Sequence, residues 1–357
     1  MISAESLSQQ WYQNLTHKYG KFDKILVEKA IRALMLVEAL ANTGLHFIFK
    51  GGTSLLILLK RPERFSIDVD ILVSMGTKIE KYLNKIESKK TFIKFEKQNR
   101  LSTSKIKKAH FKFYYQPILT KNPSVDFILL DVLFEKNNYQ KVLKKELLSD
   151  IVKQSGKPSR INIPSIDDLL GDKLTAFAPN SSGIPYFKSQ QSMTMEIIKQ
   201  LFDVGRLFDN FNDLKIVAKT FKQFALTELA YRDKSSSFNI VLDDVFNTSL
   251  LLSTRGHSGE GDFPQLQQGI SRLKPYIFSG NYSIEKSIID AAKAAYLSLL
   301  IKKGQTEFER LESIQRLPDY GKMEIRDPFD TKLNKLKKSN PFAFFYWFKT
   351  YQLSTSL

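Results

Sequence analysis

Residues 47–73, FIFKGGTSLLILLKRPERFSIDVDILV, contain the pattern that decides the fold. An apolar run, two glycines, a polar pair and a second apolar run predict a strand, a tight turn, a helix start, a loop and another strand. Gly51 and Gly52 let the backbone turn sharply and approach a ligand closely. Thr53 and Ser54 then begin a helix whose first N–H groups have no intrahelical partners, an arrangement that binds anions such as phosphate.

The second strand predicted in this stretch, residues 67–73, carries two carboxylates. Asp68 and Asp70 are one residue apart, so on a strand they point to the same face. Adjacent carboxylates repel each other unless a cation lies between them, and divalent metal ions commonly fill that role. A lone Asp-x-Asp pair is more often a solvated strand edge. Beside a phosphate-binding turn, however, it indicates an enzyme that transfers phosphoryl or nucleotidyl groups.

A further run, residues 125–135 (VDFILLDVLFE), has the strongest strand pattern in the chain. Asp131 lies within it, between apolar neighbours. A carboxylate inside a buried strand is costly unless it is paired with a cation, so Asp131 is a candidate site residue. The alternative is an aspartate on a strand edge that faces solvent. Asp126 is a second candidate, although its place near the start of the run makes exposure easier.

The segments FKGGTSL and RFSIDVDIL resemble the signature of the AbiEii/AbiGii-type nucleotidyltransferase toxins. These include the MenT toxins and belong to the polymerase-β-like nucleotidyltransferase superfamily. The resemblance is sharp over residues 47–73 and traceable as far as Phe208. It implies an α+β fold, in which a nucleotidyltransferase domain with a small mixed sheet (residues 1–160) precedes a mainly helical domain (residues 161–357).

The same resemblance implies a site. Asp68, Asp70 and Asp131 would be catalytic residues that hold two Mg²⁺ or Mn²⁺ ions, with Asp131 in the position of the family's third carboxylate. The residues expected to bind the nucleotide are Lys50, Gly51, Gly52, Thr53, Ser54, Arg64, Ser66 and Lys199. Arg64 would grip a phosphate with its forked guanidinium group.

Two further catalytic residues are implied in the helical part. Lys173 matches a family lysine near the triphosphate, where a fixed cation would stabilise developing charge. Asp203 would orient Lys173 or Lys199, or assist proton transfer. The alternatives without catalysis are that Lys173 extends from an apolar helix face into solvent, and that Lys199 and Asp203 form a surface ion pair worth only ~0.3–0.5 kcal/mol. Gln200 replaces the first aspartate of the family's Lys-Asp-x-x-Asp-Leu pattern, which leaves that aspartate's role without a residue here.

The composition of the chain limits the kinds of binding site and cellular location that are expected. The chain has 357 residues, no cysteine and four histidines, so disulfides and zinc sites are not expected. It has no apolar run of the roughly 20 residues that span a bilayer, and MISAESLSQQWYQ lacks the form of a secretory signal. We therefore expect a cytoplasmic protein without a membrane partner.

The net charge of +17 is informative about the binding partners of the protein and says little about its fold. Two clusters contain many of the cations: Lys85, Lys89, Lys90, Lys94, Lys97, Arg100, Lys105, Lys107, Lys108 and Lys112, and then Lys332, Lys335, Lys337 and Lys338. Solvated helix faces would explain them, but beside a nucleotidyltransferase site we favour RNA as the partner.

The predicted reaction is transfer of a nucleoside monophosphate from an NTP, with release of pyrophosphate. The resemblance implies the 3′ end of tRNA as acceptor, which would block aminoacylation, and an antitoxin encoded nearby, as in type IV toxin–antitoxin (abortive-infection) systems. An acceptor hydroxyl on a protein or small molecule is the alternative among enzymes. A nucleotide- or RNA-binding module without catalysis is the alternative from another class, and the intact carboxylates argue against it.

Overall fold

The computed structural model describes residues 1–20, 22–87, 91–98, 107–120, 124–232, 236–278, 281–313 and 320–355. The chain divides into two compact units, and each is described by itself. The first unit comprises Met1–Ser165 and Pro275–Asn281, and the second comprises Ile166–Lys274 and Tyr282–Leu357. The expected boundary lay between residues 160 and 161, and nothing in the sequence pointed to the return of residues 275–281 to the first unit.

Within the described ranges, a seven-stranded mixed sheet organises the first unit. Its strands are β1 (Ile48–Lys50), β2 (Val69–Val73), β3 (Lys94–Gln98), β4 (Lys108–Tyr115), β5 (Asp126–Phe134), β6 (Val142–Glu146) and β7 (Arg160–Pro164). The order across the sheet is β3-β4-β5-β2-β1-β7-β6. β2 runs parallel to β5 and β1 runs parallel to β7, whereas the other neighbours are antiparallel. The α+β fold class is therefore confirmed.

Helices complete the first unit: α1 (Gln9–Tyr19), α2 (Lys24–Ala41), α3 (Leu55–Leu58) and α4 (Glu80–Glu87), with a 3₁₀ helix at Ala4–Leu7. α2 begins where the carboxylate of Asp23 accepts a hydrogen bond from the N–H of Ile25. Its apolar residues Val27, Ile31 and Leu34 are fully buried in the same core as the sheet. This packing leaves the opposite face of the central strands for polar side chains.

The structure shortens two of the predicted elements around the glycine turn. The helix expected from Thr53 is the single turn of α3, and the chain is already extended at Leu59. The strand expected over residues 67–73 starts at Val69, so Asp68 lies just before it. The helical spacing of Ile79, Tyr82, Leu83 and Ile86 predicts an amphipathic helix over residues 76–90. The structure has α4 there, and residues 88–90 lie outside the described part of the chain.

The second unit is mainly helical. Its helices are α5 (Ile166–Ala176), α6 (Thr194–Phe208), α7 (Leu214–Tyr231), α8 (Asn239–Ser253), α9 (Phe263–Leu273), α10 (Ile284–Lys302), α11 (Leu336–Ser339) and α12 (Pro341–Thr355). Strands β8 (Phe187–Lys188) and β9 (Gln191–Ser192) form a short hairpin. Further 3₁₀ turns of this unit are Tyr320–Lys322 and Thr331–Lys335, and the turn Lys274–Tyr276 lies where the chain passes from the second unit to the first.

α10 packs against α6, α8 and α12. Four aromatic residues of α12, Phe344, Phe345, Tyr346 and Trp347, are buried in the core, where the indole N–H of Trp347 donates to Ser253 Oγ at 2.9 Å. Throughout the described residues, no helix is both long enough and apolar enough to cross a membrane.

Candidate active site

The glycine turn lies directly against the strand that carries Asp70. Gly51 has φ of +76°, a conformation that favours glycine. A β-carbon at Gly51 would lie 2.0 Å from Oδ2 of Asp70, so no side chain fits there. The antiparallel pairing of β1 with β2 places Lys50 opposite Asp70, and the ammonium of Lys50 lies 5.6 Å from the ring centroid of Tyr139. The two halves of the signature are thus in contact.

Gly52 faces the two polar residues that precede the carboxylates. A β-carbon at Gly52 would lie 2.5 Å from Nη2 of Arg64 and 2.8 Å from Oγ of Ser66. Arg64 is buried, and its Nη1 donates to the carbonyl of Phe65 at 3.0 Å. The structure therefore brings Arg64 and Ser66 to the turn, as a phosphate-binding role for them would require.

The hydroxyl groups of Thr53 and Ser54 fix the shape of the turn. Thr53 Oγ1 donates to the carbonyl of Asp68, and Ser54 Oγ donates to the carbonyl of Gly51 at 2.7 Å. Both side chains are fully buried. A phosphate at this turn would therefore meet backbone N–H groups before it met these hydroxyls.

Two of the predicted metal ligands are neighbours across the sheet. The parallel pairing of β2 with β5 places Asp70 directly beside Asp131. Along β5 the buried residues alternate with partly exposed ones, and Asp131 belongs to the partly exposed set. Asp126 is an odd number of residues away and so faces the other side, where it forms an ion pair with Lys29 at 2.9 Å. The sheet thus brings Asp131, and not Asp126, to Asp70.

His110 contacts Asp131, and our sequence analysis did not identify it. It lies opposite Asp131 in the antiparallel pair of β4 and β5, and its Nδ1 is 2.6 Å from Asp131 Oδ1. The side chains of His110 and Asp131 are 18% and 36% exposed, so both are accessible. The alternation of polar and apolar residues along β4 could have identified His110. A histidine on the polar face of a strand is a candidate partner for a carboxylate on the neighbouring strand.

These contacts form a polar row across five strands. In sheet order the row is Gln98, His110, Asp131, Asp70 and Lys50, each opposite the next in register. We call it the carboxylate row. Its two acidic members lie between a lysine and a histidine, and the ammonium of the lysine compensates part of the repulsion between their charges.

The donor chemistry of this row suits a hard divalent cation. Carboxylate oxygens are the ligands that Mg²⁺ and Mn²⁺ prefer, and ligating carboxylates are themselves usually hydrogen-bonded, as Asp131 is by His110. As the side chains stand in the described ranges, no group of three or more histidine, aspartate or glutamate residues has the arrangement of a metal site. The residues fit such an ion by donor type and by the register of Asp70 with Asp131.

The residues predicted in the second unit form local pairs. Lys173 Nζ on α5 lies 2.8 Å from Asp203 Oδ2 on α6, and these side chains are 7% and 1% exposed. The ammonium of Lys199 lies 3.9 Å from Glu196 Oε1 on the same helix. One of the two orientations predicted for Asp203, towards Lys173, is therefore present as a buried ion pair.

Comparison with protein families matches residues 34–274 to the family described as "Nucleotidyl transferase AbiEii toxin, Type IV TA system". A mixed sheet with a glycine turn against paired carboxylates, together with this match, defines a nucleotidyltransferase. The chain belongs to the AbiEii family of type IV toxin–antitoxin systems. Membership implies an NTP substrate and a cognate antitoxin.

Solved structures with similar folds include JHP933 from Helicobacter pylori, at 14% identity and a TM-score of 0.42, covering 84% of this chain and 94% of that one. Another is an antigenic nucleotidyltransferase-like protein from Paracoccidioides brasiliensis, at 13% identity and a TM-score of 0.36, covering 58% of this chain and 93% of that one. No curated protein sequence matches the chain.

Proposed function

We propose that this protein transfers a nucleoside monophosphate from an NTP to a hydroxyl of RNA, at the carboxylate row. One observation carries the proposal: Asp70 and Asp131 lie side by side on neighbouring parallel strands, with Gly51 against Asp70. Carboxylates packed against a glycine turn supply the oxygen ligands that the counterion of a triphosphate needs, next to backbone N–H groups that a phosphate can reach.

The chain's own residues would position the reactants. The absence of side chains at Gly51 and Gly52 lets Asp70, Arg64 and Ser66 pack directly against the turn, so these polar groups meet at one place. Arg64 would donate to a phosphate through its guanidinium group, and Ser66 through its hydroxyl. Asp68, Asp70 and Asp131 would hold two divalent ions, Mg²⁺ or Mn²⁺, which would supply positive charge to the phosphates and to the attacking oxygen.

The acceptor hydroxyl oxygen then bonds to the α-phosphorus, the bond from that phosphorus to pyrophosphate breaks, and the proton of the hydroxyl passes to solvent water. His110 would hold Asp131 in place through the Nδ1 contact. Lys173, Lys199 and Asp203 stay predictions from the family resemblance, because the proposal rests on the first unit.

The net charge of +17 supports a polyanionic acceptor. We favour the 3′ end of tRNA, which the family resemblance implied. Modification there would stop aminoacylation and arrest growth, as an abortive-infection response to phage requires. The antitoxin would suppress this effect in unchallenged cells.

Incubation with each labelled NTP, Mg²⁺ and total RNA tests the proposal, with the products separated by size. We expect label in RNA of tRNA length. Asp70→Asn and Asp131→Asn should each reduce labelling by about 10³-fold, because several kcal/mol of charge stabilisation would be lost. Both variants should still bind RNA.

Asp126→Asn is the matched control, since Asp126 lies on the same strand as Asp131 but faces the other side of the sheet, and it should label RNA at the wild-type rate. If the label appeared in protein or in a small molecule, that class of molecule would be the acceptor in place of RNA. Equal labelling by the Asp131→Asn and wild-type proteins would refute the site.

A further inference from the structure

The sheet face that carries the carboxylate row continues as a basic and aromatic surface. We call it the β3–β5 surface and define it by Lys94, Lys108, Lys112, Tyr114 and Phe127. The register places Lys94 opposite Tyr114 and Tyr114 opposite Phe127, so these three residues share one face across three strands. Lys112 and Lys108 alternate with His110 along β4 and point to the same side.

Lys112, Tyr114 and Phe127 lie on one side of the carboxylate row, and Lys108 lies on the other side, opposite Leu133. Two residues along a strand span about 6.6 Å, so Lys112 lies about 7 Å from the level of Asp131. Tyr114 and Phe127 lie about 13 Å from the same level. A ligand bound along Phe127, Tyr114 and Lys112 would therefore have one end at Asp131, with Lys108 just beyond that end.

The aromatic side chains of the surface are held by cations. Lys112 Nζ lies 4.3 Å from the ring centroid of Phe127, and Lys94 Nζ lies 5.2 Å from that of Tyr114. The rings of Tyr114 and Phe127 have centroids 6.0 Å apart at an angle of 62°. Rings fixed in this way lose little conformational entropy when they stack on a ligand.

The charge of the surface favours an anion. Glu96 is the acidic residue opposite Lys112, and it is engaged by Lys94 Nζ at 2.6 Å and by the Tyr114 hydroxyl at 2.8 Å. The hydrogen bond from Lys94 lowers the pKa of the Glu96 carboxyl, so that group stays ionised and offsets one lysine. Lys108 and Lys112 remain as the excess positive charge.

We propose that the β3–β5 surface binds the single-stranded 3′ end of the RNA acceptor and leads it to Asp70 and Asp131. The inference rests on the proposed function and adds the part of the protein that holds the acceptor. Proteins that bind single strands combine a positively charged path with aromatic side chains on which bases stack, and this surface has both. A duplex would keep its bases stacked on one another and gain little from the aromatic rings.

The basic segment seen in the sequence is thus divided between two faces. Lys97 lies on β3 between Glu96 and Gln98 and points to the other side, where it forms an ion pair with Glu80 at 2.9 Å. Lys97 therefore serves as a matched control for Lys112: a lysine of the same cluster, on the neighbouring strand and the opposite face. Lys89, Lys90, Arg100 and Lys105 lie outside the described residues.

Binding of a short labelled single-stranded RNA, measured by fluorescence anisotropy without NTP, tests the proposal. Tyr114→Ala should raise Kd about tenfold, as expected for the loss of one stacked base. Lys112→Ala should also raise Kd and reduce the slope of log Kd against log salt by about 0.7, the value for one phosphate contact on a single strand. Lys97→Ala should bind as the wild type does.

A second set of variants separates loss of the ring from loss of folding. Tyr114→Phe keeps the ring and loses the hydrogen bond to Glu96, so it should bind like the wild type. Tyr114→Leu keeps an apolar side chain without a π-face, so it should bind like Tyr114→Ala. Equal Kd values for the Phe and Leu variants, or equal affinity of the wild type for a blunt duplex, would overturn the proposal.

Turnover distinguishes this inference from the proposed function. In the labelling assay the Lys112→Ala and Tyr114→Ala proteins should show a raised KM for RNA and an unchanged KM for NTP. Transfer to RNA with wild-type KM values in both variants would refute the surface and leave the function intact. Binding that depends on Tyr114, without transfer to RNA by the wild type, would refute the function and leave the surface intact.

Discussion

His110 is the residue whose role depends most on a single contact. Its Nδ1 lies 2.6 Å from Asp131 Oδ1, so it can hold the carboxylate in one orientation. We expect His110→Ala to lower kcat about 10–100-fold and to raise the Mn²⁺ concentration needed for half-maximal activity, as loss of a group that orients a metal ligand does. Direct Mn²⁺ binding, followed by the paramagnetic signal of free Mn²⁺, should weaken in parallel.

His110→Asn, which can still donate a hydrogen bond, should recover part of the activity. His46→Ala is the control, because His46 is exposed just before β1. If His110→Ala lowered stability and left Mn²⁺ affinity unchanged, the contact would be structural only.

Gly51 and Gly44 form a natural pair of test positions. Both have positive φ, +76° and +84°, so alanine at either costs about 1 kcal/mol of stability. Only at Gly51 would the new β-carbon meet the carboxylate of Asp70, whereas nothing lies within 4 Å of one at Gly44. We expect Gly51→Ala to abolish transfer and to lower stability more than Gly44→Ala does, because its β-carbon must displace the carboxylate of Asp70. Gly44→Ala should retain transfer, and equal activities of the two variants would contradict the close packing of turn and carboxylate.

At the scale of elements, the buried pair of Lys173 and Asp203 joins α5 to α6. Removing one partner leaves an unpaired buried charge, so Asp203→Ala should cost about 3–5 kcal/mol in urea unfolding. The combined change Lys173→Met with Asp203→Leu should cost less, because no charge is left unpaired. The control is Lys302→Ala, whose exposed pair with Asp243 is worth about 0–1 kcal/mol.

Activity adds a second measurement on the same variants. If the combined variant is folded and inactive, the prediction that Lys173 serves the triphosphate gains support. If it is folded and fully active, the pair is a structural link between helices.

Element lengths show where sequence periodicity succeeded and where it did not. Apolar residues at helical spacing, among them Ile198, Leu201 and Phe202, predict a helix over residues 194–208. α6 has these bounds because its apolar face is continuous over the whole helix. α3 is a single turn although a longer helix was expected, and no apolar periodicity could indicate that stop. Local patterns predict elements well when one long face is buried and poorly when a turn is held by contacts from another strand.

At the scale of the whole molecule, residues 275–281 complete the first unit. The N–H of Phe65 donates to the carbonyl of Tyr276 at 2.7 Å, and the N–H of Phe278 donates to the carbonyl of Glu63 at 2.7 Å. The rings of Phe65 and Phe278 have centroids 4.4 Å apart. The loop that carries Arg64 is thereby held by a segment distant in sequence.

We therefore expect Phe278→Ala to destabilise the first unit by about 3–5 kcal/mol, since it removes a buried aromatic ring. Hydrogen exchange of the β1 and β2 amides would detect this loss. Phe187→Ala is the control, because Phe187 is 50% exposed. A fragment of residues 1–165 that melted at the temperature of the same unit in the full chain would contradict the role given to residues 275–281.

The sequence by itself determined the strand, the glycine turn and the aspartates of residues 47–73, and it placed Asp131 in a strand, because alternation and turn chemistry are local properties of the chain. Only the tertiary structure decided that Asp131 stands beside Asp70, that His110 stands beside Asp131 and that residues 275–281 return to hold Arg64. Register between strands depends on how distant segments pack, and one residue of slip would turn every side chain of a strand to the other face. For this reason the carboxylate row could be identified only in the folded sheet.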